Sequence, residues 1–279
     1  MNRLSIITVN LNDAVGLRKT LSSVLDRQTF MDIEYIVIDG GSKDGSVDVI
    51  KEYEDKISYW VSEPDRGIYN AMNKGIKRAT GEYLLFLNSG DWLVDDVLAM
   101  VFAGPFTEDV VYADLLLYCE DGKTVEQVYS DRLSLSELIG TSLGHPSSFI
   151  RRELFDGNLY REDYRIISDW VFWMEELVFK RRSWRHLNIF TTYFNMYGVS
   201  SGSGVADLIR AEREDYINCS HSCMSELIRD ISQAKERGVL DIMSKRKVEA
   251  LADSEWLQRQ LGRYVGLLFA VKKLFKIKN

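Results

Sequence analysis

The chain has 279 residues, of which 46% are hydrophobic and 28% are charged. This is enough apolar material for a domain with a sizeable core, so the composition excludes a disordered or fibrous protein. The formal net charge is −7 and the pI is near 5.2, which gives nucleic-acid binding no bulk electrostatic support.

The cysteines indicate a reducing environment. Cys119, Cys219 and Cys223 cannot all pair within one chain, and the first residues do not resemble an export signal, so we expect a cytoplasmic protein. Cys219, His221 and Cys223 lie within five residues. A structural zinc site needs a fourth ligand, so the favoured interpretation of this run is an ordinary helix surface.

Four short β-rich apolar runs, each followed by a segment with helical spacing, occupy the first 92 residues. This alternation predicts an α/β fold with a mostly parallel central sheet flanked by helices. The predicted strands are residues 4–9, 34–38, 57–61 and 83–87.

Two of the intervening segments repeat apolar residues mostly at intervals of three or four, which predicts helices with one buried face. The first stripe consists of Val15, Leu17, Leu21, Val24 and Leu25. The second consists of Ile68, Ala71, Met72, Ile76 and Ala79, and it leaves a polar face that is suited to a ligand, made of Asn70, Asn73, Lys74 and Lys77.

The second half of the chain has a more antiparallel pattern. Residues 110–118 and 123–129 flank an Asp-Gly pair and predict a hairpin. A strand at 147–150, an apolar helix at 169–179, a strand at 187–194 and helices from 205 onward follow. The run 200–204 is rich in serine and glycine, so we predict an α/β domain over 1–203 and a helical C-terminal extension over 204–279.

Polar residues follow each of the four early strands, where open parallel sheets place their ligand crevice. One of these stretches, 39–45, is rich in glycine. It lacks the spacing of a dinucleotide fingerprint and the Gly-Lys-Ser/Thr of a P-loop, so by itself it is equally well explained as a turn in which Asp44 caps the next helix.

Six segments resemble, in order, the motifs of family 2 glycosyltransferases, which have the GT-A fold. They are residues 5–12, 35–45, 62–75, 81–91, 144–155 and 168–173. The resemblance implies a GT-A-like domain that transfers a sugar, with inversion, from a nucleoside-diphosphate donor to a hydroxyl group. It further implies a UDP-linked donor, a saccharide or lipid-linked acceptor and a role in surface-polysaccharide biosynthesis.

The same resemblance assigns the base pocket to Thr8 and Asn10, at the end of the first strand, and to Asp39, at the end of the second. A carboxylate there can accept the imide N–H of uracil, whereas the ring nitrogen of cytosine at that place is itself an acceptor. The alternative for Asp39 is a helix or turn cap.

Asp65 and Arg66 open the third helix, whose N–H groups and positive dipole end favour a phosphate. Arg66 adds a bidentate partner for an anion. Asn73 and Lys74, two turns further on, are expected to touch ribose or diphosphate, and the alternative for both is a solvated helix face.

The metal motif of the family is reduced in this chain. Many members carry Asp-x-Asp-Asp where this sequence has Asn88-Ser89-Gly90-Asp91, so Asp91 is the one carboxylate left for a metal ion. Because Mg²⁺ or Mn²⁺ is commonly held by one or two carboxylates and the substrate's phosphates, we expect such an ion to bind with the donor. No organic cofactor is expected.

Asp169 matches the general base of the family, and Ser168 is predicted to cap the helix that Asp169 opens. The alternative for Asp169 is a favourable interaction with the helix dipole. His145 is expected to orient the diphosphate or the acceptor, and a satisfied loop histidine is its alternative.

The last predicted helix is basic and amphipathic: residues 263–278 contain five Lys or Arg and no acidic side chain. It suits an anionic membrane surface, and the alternative is packing against the acidic body of the protein or the second subunit of a homodimer. The expected location is therefore the cytoplasm or the cytoplasmic face of the inner membrane.

Two other functions fit parts of this pattern. A sugar-phosphate nucleotidyltransferase would be expected to carry a glycine-rich and basic loop directly after the first strand, where this chain has Asn10-Leu11-Asn12-Asp13. A noncatalytic nucleotide-sugar-binding or scaffold protein is compatible with the reduced metal motif.

Overall fold

A computed structural model describes residues 3–133, 135–196 and 204–220. In this part of the chain nine strands form one mixed sheet. They are β1 (Leu4–Asn10), β2 (Ile33–Asp39), β3 (Tyr59–Ser62), β4 (Tyr83–Phe86), β5 (Trp92–Leu93), β6 (Val110–Tyr118), β7 (Thr124–Gln127), β8 (Ser148–Arg151) and β9 (Trp184–Asn195). Their order across the sheet is β3-β2-β1-β4-β8-β6-β9-β5, and β7 pairs with β6.

The helices are α1 (Ala14–Leu25), α2 (Ser46–Glu52), α3 (Ile68–Ile76), α4 (Val97–Val101), α5 (Leu135–Gly140), α6 (Ser168–Trp173) and α7 (Val205–Ser220). A π-helical turn, Met174–Phe179, continues α6. Short 3₁₀ turns occur at Glu54–Lys56, His145–Ser147 and Arg152–Phe155.

The first four strands are parallel, as predicted. β1 pairs with β2 and β4, and β2 pairs with β3. All four predicted strands are confirmed, with bounds within two residues of the observed ones. In the register of the sheet Asn10 lies beside Asp39, and Asp39 lies beside Ser62. The carboxyl ends of these strands therefore meet at one edge, which we call the carboxyl edge.

The rest of the sheet is mixed. β8 runs antiparallel to β4 and β6, whereas β6 runs parallel to β9. The predicted hairpin is confirmed, since β6 and β7 are antiparallel and join through a turn in which Gly122 has a φ of 76°.

The α1 stripe is confirmed at Leu17, Leu21 and Val24, which are buried against one face of the sheet. Val15 was predicted in this stripe, and that prediction is wrong because its side chain is 85% exposed. Val15 lies two residues before Leu17, which is about 200° around the helix. α3 packs on the other face, where Gly75 approaches Ile7 closely.

The chain divides into two compact units. The first comprises residues 1–131, 143–169 and 183–212, and the second comprises 132–142, 170–182 and 213–279. Within the second unit, the indole N–H of Trp170 donates to the carbonyl of Leu138 at 2.6 Å and the hydroxyl of Tyr216 donates to Glu175 at 2.9 Å.

Several predictions fall on residues that the structure does not describe. The boundary at 203, all but the last residue of the linker at 200–204, the run with His221 and Cys223, and the basic segment 263–278 lie outside the described residues. The domain division stays a prediction. None of the helices in the described ranges combines the length and the apolarity needed to cross a bilayer.

Candidate functional site

Asp39 lies at the carboxyl edge, fully buried at the end of β2. Its Oδ1 accepts hydrogen bonds from the Asn10 amide at 2.7 Å and the Ser42 hydroxyl at 2.5 Å. Its Oδ2 accepts from the Ser62 hydroxyl at 2.6 Å and from the backbone N–H groups of Gly41 and Ser42 at 3.2 and 2.9 Å. Both oxygens of the carboxylate are therefore engaged within the protein.

These bonds decide the ionisation of Asp39. Burial disfavours its charged form, but the hydrogen bonds from Ser42, Ser62 and Asn10 outweigh burial and lower its pKa. An imide N–H would have to replace one of these donors to reach Asp39. By contrast, the Asn10 Oδ1 is buried and has no hydrogen-bond partner among the described residues.

Thr8 is fully buried on β1, two residues before Asn10. Its hydroxyl donates to the carbonyl of Leu87 at 2.7 Å and lies 2.8 Å from the hydroxyl of Tyr35. The structure places Thr8 in the packing of the sheet, with its hydroxyl used there.

The polar face of α3 is largely occupied by one loop residue, Glu162. Its carboxylate accepts from the guanidinium of Arg66 at 2.6 Å, and from the amides of Asn70 at 2.9 Å and Asn73 at 3.2 Å. These bonds, with that of Arg66 foremost, lower the pKa of Glu162. Asn73 also exchanges two hydrogen bonds with the backbone of Tyr160. Asn73 is thus used inside the protein, whereas the Arg66 side chain is 78% exposed.

Asp65 precedes the N-terminus of α3. Its Oδ1 accepts from the backbone N–H of Gly67 at 2.9 Å. Its Oδ2 lies so close to Gly40 that a Cβ on Gly40 would be 2.5 Å away. The missing side chain of Gly40 thus lets Asp65, just before α3, approach the loop that directly follows Asp39.

Asp91 follows β4 and is 4% exposed. Its Oδ1 accepts from the backbone N–H of Asn195 at 2.8 Å. Burial raises the pKa of Asp91 to about 7; the Asn195 N–H and His145 act against this rise, and the charge of Asp13 adds to it. A cation beside this carboxylate would favour its ionised form.

The donor set at Asp91 fits a divalent ion that takes most of its ligands from a substrate. In the described ranges, no group of three or more His, Cys, Asp or Glu side chains is arranged to hold a metal ion. Asp91 offers one hard carboxylate, and Mg²⁺ or Mn²⁺ commonly uses one or two carboxylates together with substrate phosphates.

Asp169 lies in the first turn of α6, within reach of two side chains from other elements. Its Oδ1 is 3.0 Å from the hydroxyl of Tyr69, on α3, and its Oδ2 is 3.6 Å from Nδ1 of His145. The other ring nitrogen of His145 lies 3.0 Å from the amide nitrogen of Asn88, on the loop before Asp91. The predicted cap by Ser168 is wrong: its hydroxyl is buried and has no hydrogen-bond partner among the described residues, and Ser168 is itself the first residue of α6.

The predicted site residues thus fall into groups. Asn10 and Asp39 form one cluster at the carboxyl edge, and Asp65 lies against it. Asp169 and His145 form a second cluster, which Asn88 joins to the loop of Asp91. Arg66 lies at the exposed start of α3, and Thr8 and Asn73 serve packing.

Sequence reasoning missed Glu162, Tyr69 and Asn88 as members of this arrangement. Tyr69 and Asn88 lie inside motif segments, which was the available signal. Glu162 lies between Arg161 and Asp163 in a charged loop and carried no signal of its own.

Comparison with known proteins decides the family. A family model described as "Glycosyl transferase family 2" matches residues 5–162, more than half of the chain. The chain belongs to glycosyl transferase family 2. One relative of this transferase is the PGL/p-HBAD biosynthesis glycosyltransferase of Mycobacterium bovis, 32% identical over 203 residues, which are 70% of this chain and 77% of the relative.

Solved structures confirm the GT-A-like fold of the transferase. S. aureus TarS 1–349 in complex with UDP-GlcNAc has a TM-score of 0.61 at 20% identity, covering 78% of this chain and 67% of that one. This chain spans 40% of the longer TarS chain. The mannosyltransferase PcManGT of Pyrobaculum calidifontis, in complex with GDP-Man and Mn²⁺, has a TM-score of 0.53 at 15% identity, covering 99% and 88%.

Proposed function

We propose that the chain transfers a sugar, with inversion, from a UDP-linked donor to a hydroxyl group of a saccharide or lipid-linked saccharide. The observation that carries this proposal is that Asp169 and His145 are linked through Asn88 to the loop of Asp91. The names of the relatives support a role in glycolipid or surface-polysaccharide assembly, because one acts in PGL/p-HBAD biosynthesis.

The nucleotide end of the donor is assigned to the cluster of Asn10 and Asp39. The unpartnered Asn10 Oδ1 is a suitable acceptor for an N–H of the base, and the donors gathered on Asp39 hold the surrounding loop in place. A TarS structure contains UDP-GlcNAc, which supports a UDP-linked donor.

The diphosphate is assigned to Asp91 and to Arg66, which precedes α3. Arg66 is exposed and can exchange its partner Glu162 for a phosphate oxygen. Asp91 would hold a divalent ion, and such an ion, when bound, stabilises the negative charge of the departing diphosphate.

Asp169 is assigned the role of general base. As the acceptor oxygen forms its bond to the anomeric carbon, its proton passes to the carboxylate of Asp169 and the bond to the diphosphate oxygen breaks. The Asp169 side chain is 16% exposed, so its carboxylate is not sealed from solvent.

One observation favours a second candidate function. The described residues contain no group of three or more His, Cys, Asp or Glu side chains arranged to hold a metal ion, and a noncatalytic nucleotide-sugar-binding protein would need no such group. Turnover separates the two functions, because such a protein binds a donor without releasing UDP.

UDP release from a panel of UDP-sugars, with saccharide acceptors and Mn²⁺ or Mg²⁺, tests the proposal. We expect Asp169→Asn to lower kcat at least ~10²-fold with nearly intact donor binding. Asp163→Asn, which changes an exposed carboxylate in the preceding loop, is the matched control. Excess EDTA should abolish turnover. Near-normal turnover of Asp169→Asn would refute the base assignment, and no turnover with any donor would favour the binding protein.

A further inference from the structure

His145 connects two loops of the site that come from distant parts of the sequence. Its Nδ1 lies 3.6 Å from Oδ2 of Asp169, and its Nε2 lies 3.0 Å from the amide nitrogen of Asn88. Both side chains of the His145–Asp169 pair are 16% exposed, so the pair is mostly shielded but still accessible to a substrate.

The neighbours of the ring determine which nitrogen carries the proton. A carboxylate oxygen only accepts hydrogen bonds, so the ring nitrogen that faces Asp169 is favoured in its protonated form. Asn88 turns its amide nitrogen, which only donates, toward Nε2, while its Oδ1 is buried without a partner among the described residues; in this orientation of the amide, Nε2 acts as an acceptor. Both contacts favour the neutral tautomer that has its hydrogen on Nδ1, and this N–H is directed at Asp169.

The backbone on both sides of His145 is firmly held. The backbone N–H of Gly144 donates to the hydroxyl of Tyr129 at 2.9 Å, and its carbonyl accepts from the hydroxyl of Ser148 at 2.8 Å. The carbonyl of Pro146 accepts from the hydroxyl of Thr192 at 2.6 Å. The backbone that carries the His145 ring is thus held by Tyr129, by Ser148 on β8 and by Thr192 on β9.

We propose that His145 is a positioning residue for Asp169: its Nδ1–H holds Oδ2 of the carboxylate, while Tyr69 contacts Oδ1, in the orientation that accepts the proton of the acceptor hydroxyl. This inference rests on the proposed function and deepens it. The 3.6 Å separation is longer than a hydrogen bond, and catalytic hydrogen bonds of this kind often shorten only when substrate binds. His145 keeps its own proton throughout, so the proton of the acceptor ends on Asp169.

Asn88 has a defined part in this arrangement. By donating to Nε2 it keeps the ring hydrogen on Nδ1, and it lies three positions before Asp91 on the same loop. The loop that carries the proposed metal ligand thereby also sets the tautomer of the residue that orients the base.

Substitutions that reproduce one ring nitrogen at a time test the proposal. The amide of Asn can occupy the place of Nδ1, whereas the amide of Gln reaches the place of Nε2. We expect His145→Ala and His145→Gln to lower kcat at least ~10-fold with donor KM within ~2-fold, because a misplaced base slows the chemical step. His145→Asn should recover most of the kcat.

Two kinetic outcomes would overturn the proposal. One is a loss confined to donor KM, which would indicate a diphosphate contact. The other is a His145→Gln variant as active as His145→Asn, which would indicate a packing role. Thermal melting of each variant identifies any that fails to fold.

The tautomer of His145 can also be measured by NMR in the wild-type protein, which tests the proposal even where a variant fails to fold. The chain has three histidines, so the ¹⁵N signals of His145 can be assigned by their loss in His145→Asn. We expect a protonated Nδ1 in the wild-type protein, and an unprotonated Nδ1 would overturn the inference. If the wild-type protein turns over no donor, the proposed function fails, while the tautomer still decides the geometry.

Discussion

Two buried aspartates of the site differ in their ionisation because they differ in their hydrogen-bond donors. Asp39 accepts from the side chains of Asn10, Ser42 and Ser62 and from two backbone N–H groups, and its pKa is lowered. Asp91 is also buried, but the bond that its carboxylate accepts is from the backbone N–H of Asn195, and burial raises its pKa to about 7. At the residue scale, donors decide whether a buried carboxylate is charged.

The raised pKa of Asp91 predicts how its removal changes stability with pH. An unfolded Asp titrates near ~4, and Asp91 in the folded protein titrates near 7. Between these values the folded state binds more protons, so the stability contributed by this group falls as pH rises from about 4 to about 7. Asp91→Asn does not have this loss of stability. The melting temperature of the variant minus that of the wild-type protein should therefore increase by about 5 °C from pH 5 to pH 8.

Thermal melting at both pH values, without divalent ions, checks this prediction. The matched control is Asp95→Asn, which changes an aspartate whose side chain is 73% exposed. Its difference from wild type should be the same at pH 5 and pH 8. An equal difference for Asp91→Asn at the two pH values would contradict the raised pKa.

At the scale of elements, the site depends on where α3 and the strands approach each other. The polar face of α3 looked available to a ligand in sequence, yet Glu162 engages Arg66, Asn70 and Asn73 on it. These hydrogen bonds hold the loop before α6 against α3. In the same region Oδ1 of Asp169 lies 3.0 Å from the hydroxyl of Tyr69, on α3. The face therefore supports the site mainly by placing Asp169.

Close approach also occurs where the chain enters β4. A Cβ on Gly81 would lie 2.6 Å from the backbone nitrogen of Ser5 and 2.9 Å from the carbonyl carbon of Leu4, both on β1. Because backbone atoms cannot move aside cheaply, Gly81→Ala should destabilise the protein by about 2 kcal/mol.

The urea midpoint of unfolding measures this effect. Gly104→Ala is the matched control, because a Cβ there would meet nothing within 4 Å. Its midpoint should differ little from that of the wild-type protein. Equal midpoints for the two variants would show that β1 and β4 tolerate a wider separation.

At the scale of the whole molecule, the distribution of charge suggests how the protein reaches its acceptor. The chain is acidic overall, whereas residues 263–278, which lie outside the described residues, carry only basic charges. We propose that this segment binds an anionic membrane surface, where a lipid-linked acceptor would lie.

Cosedimentation with vesicles tests the membrane proposal. Removal of residues 262–279 should release the protein from vesicles that contain anionic lipid, and the full chain should bind neutral vesicles weakly. Unchanged cosedimentation of the shortened chain would count against a membrane role. The same preparations in UDP-release assays show whether the truncation leaves the catalytic domain intact.

Much of the fold could be predicted from the sequence because its signals are local. Strand runs bounded by turn residues gave all four parallel strands, and the Asp-Gly pair gave the β6–β7 hairpin. Val15 was misplaced because it is apolar and lies in the first turn, although its spacing of two residues from Leu17 turns it away from the buried stripe. Local pattern does not say which face a helix presents at its end.

The sequence by itself determined the α/β class, the parallel half of the sheet, the family and the positions of Asp39, Asp91 and Asp169, because these depend on short-range periodicity and motif order. Only the tertiary structure decided what each polar group contacts. It engaged Asp39 with five donors, enclosed Asn73, and brought His145 between Asn88 and Asp169. Hydrogen bonds between residues far apart in sequence depend on the packed geometry of several elements, which no single segment encodes.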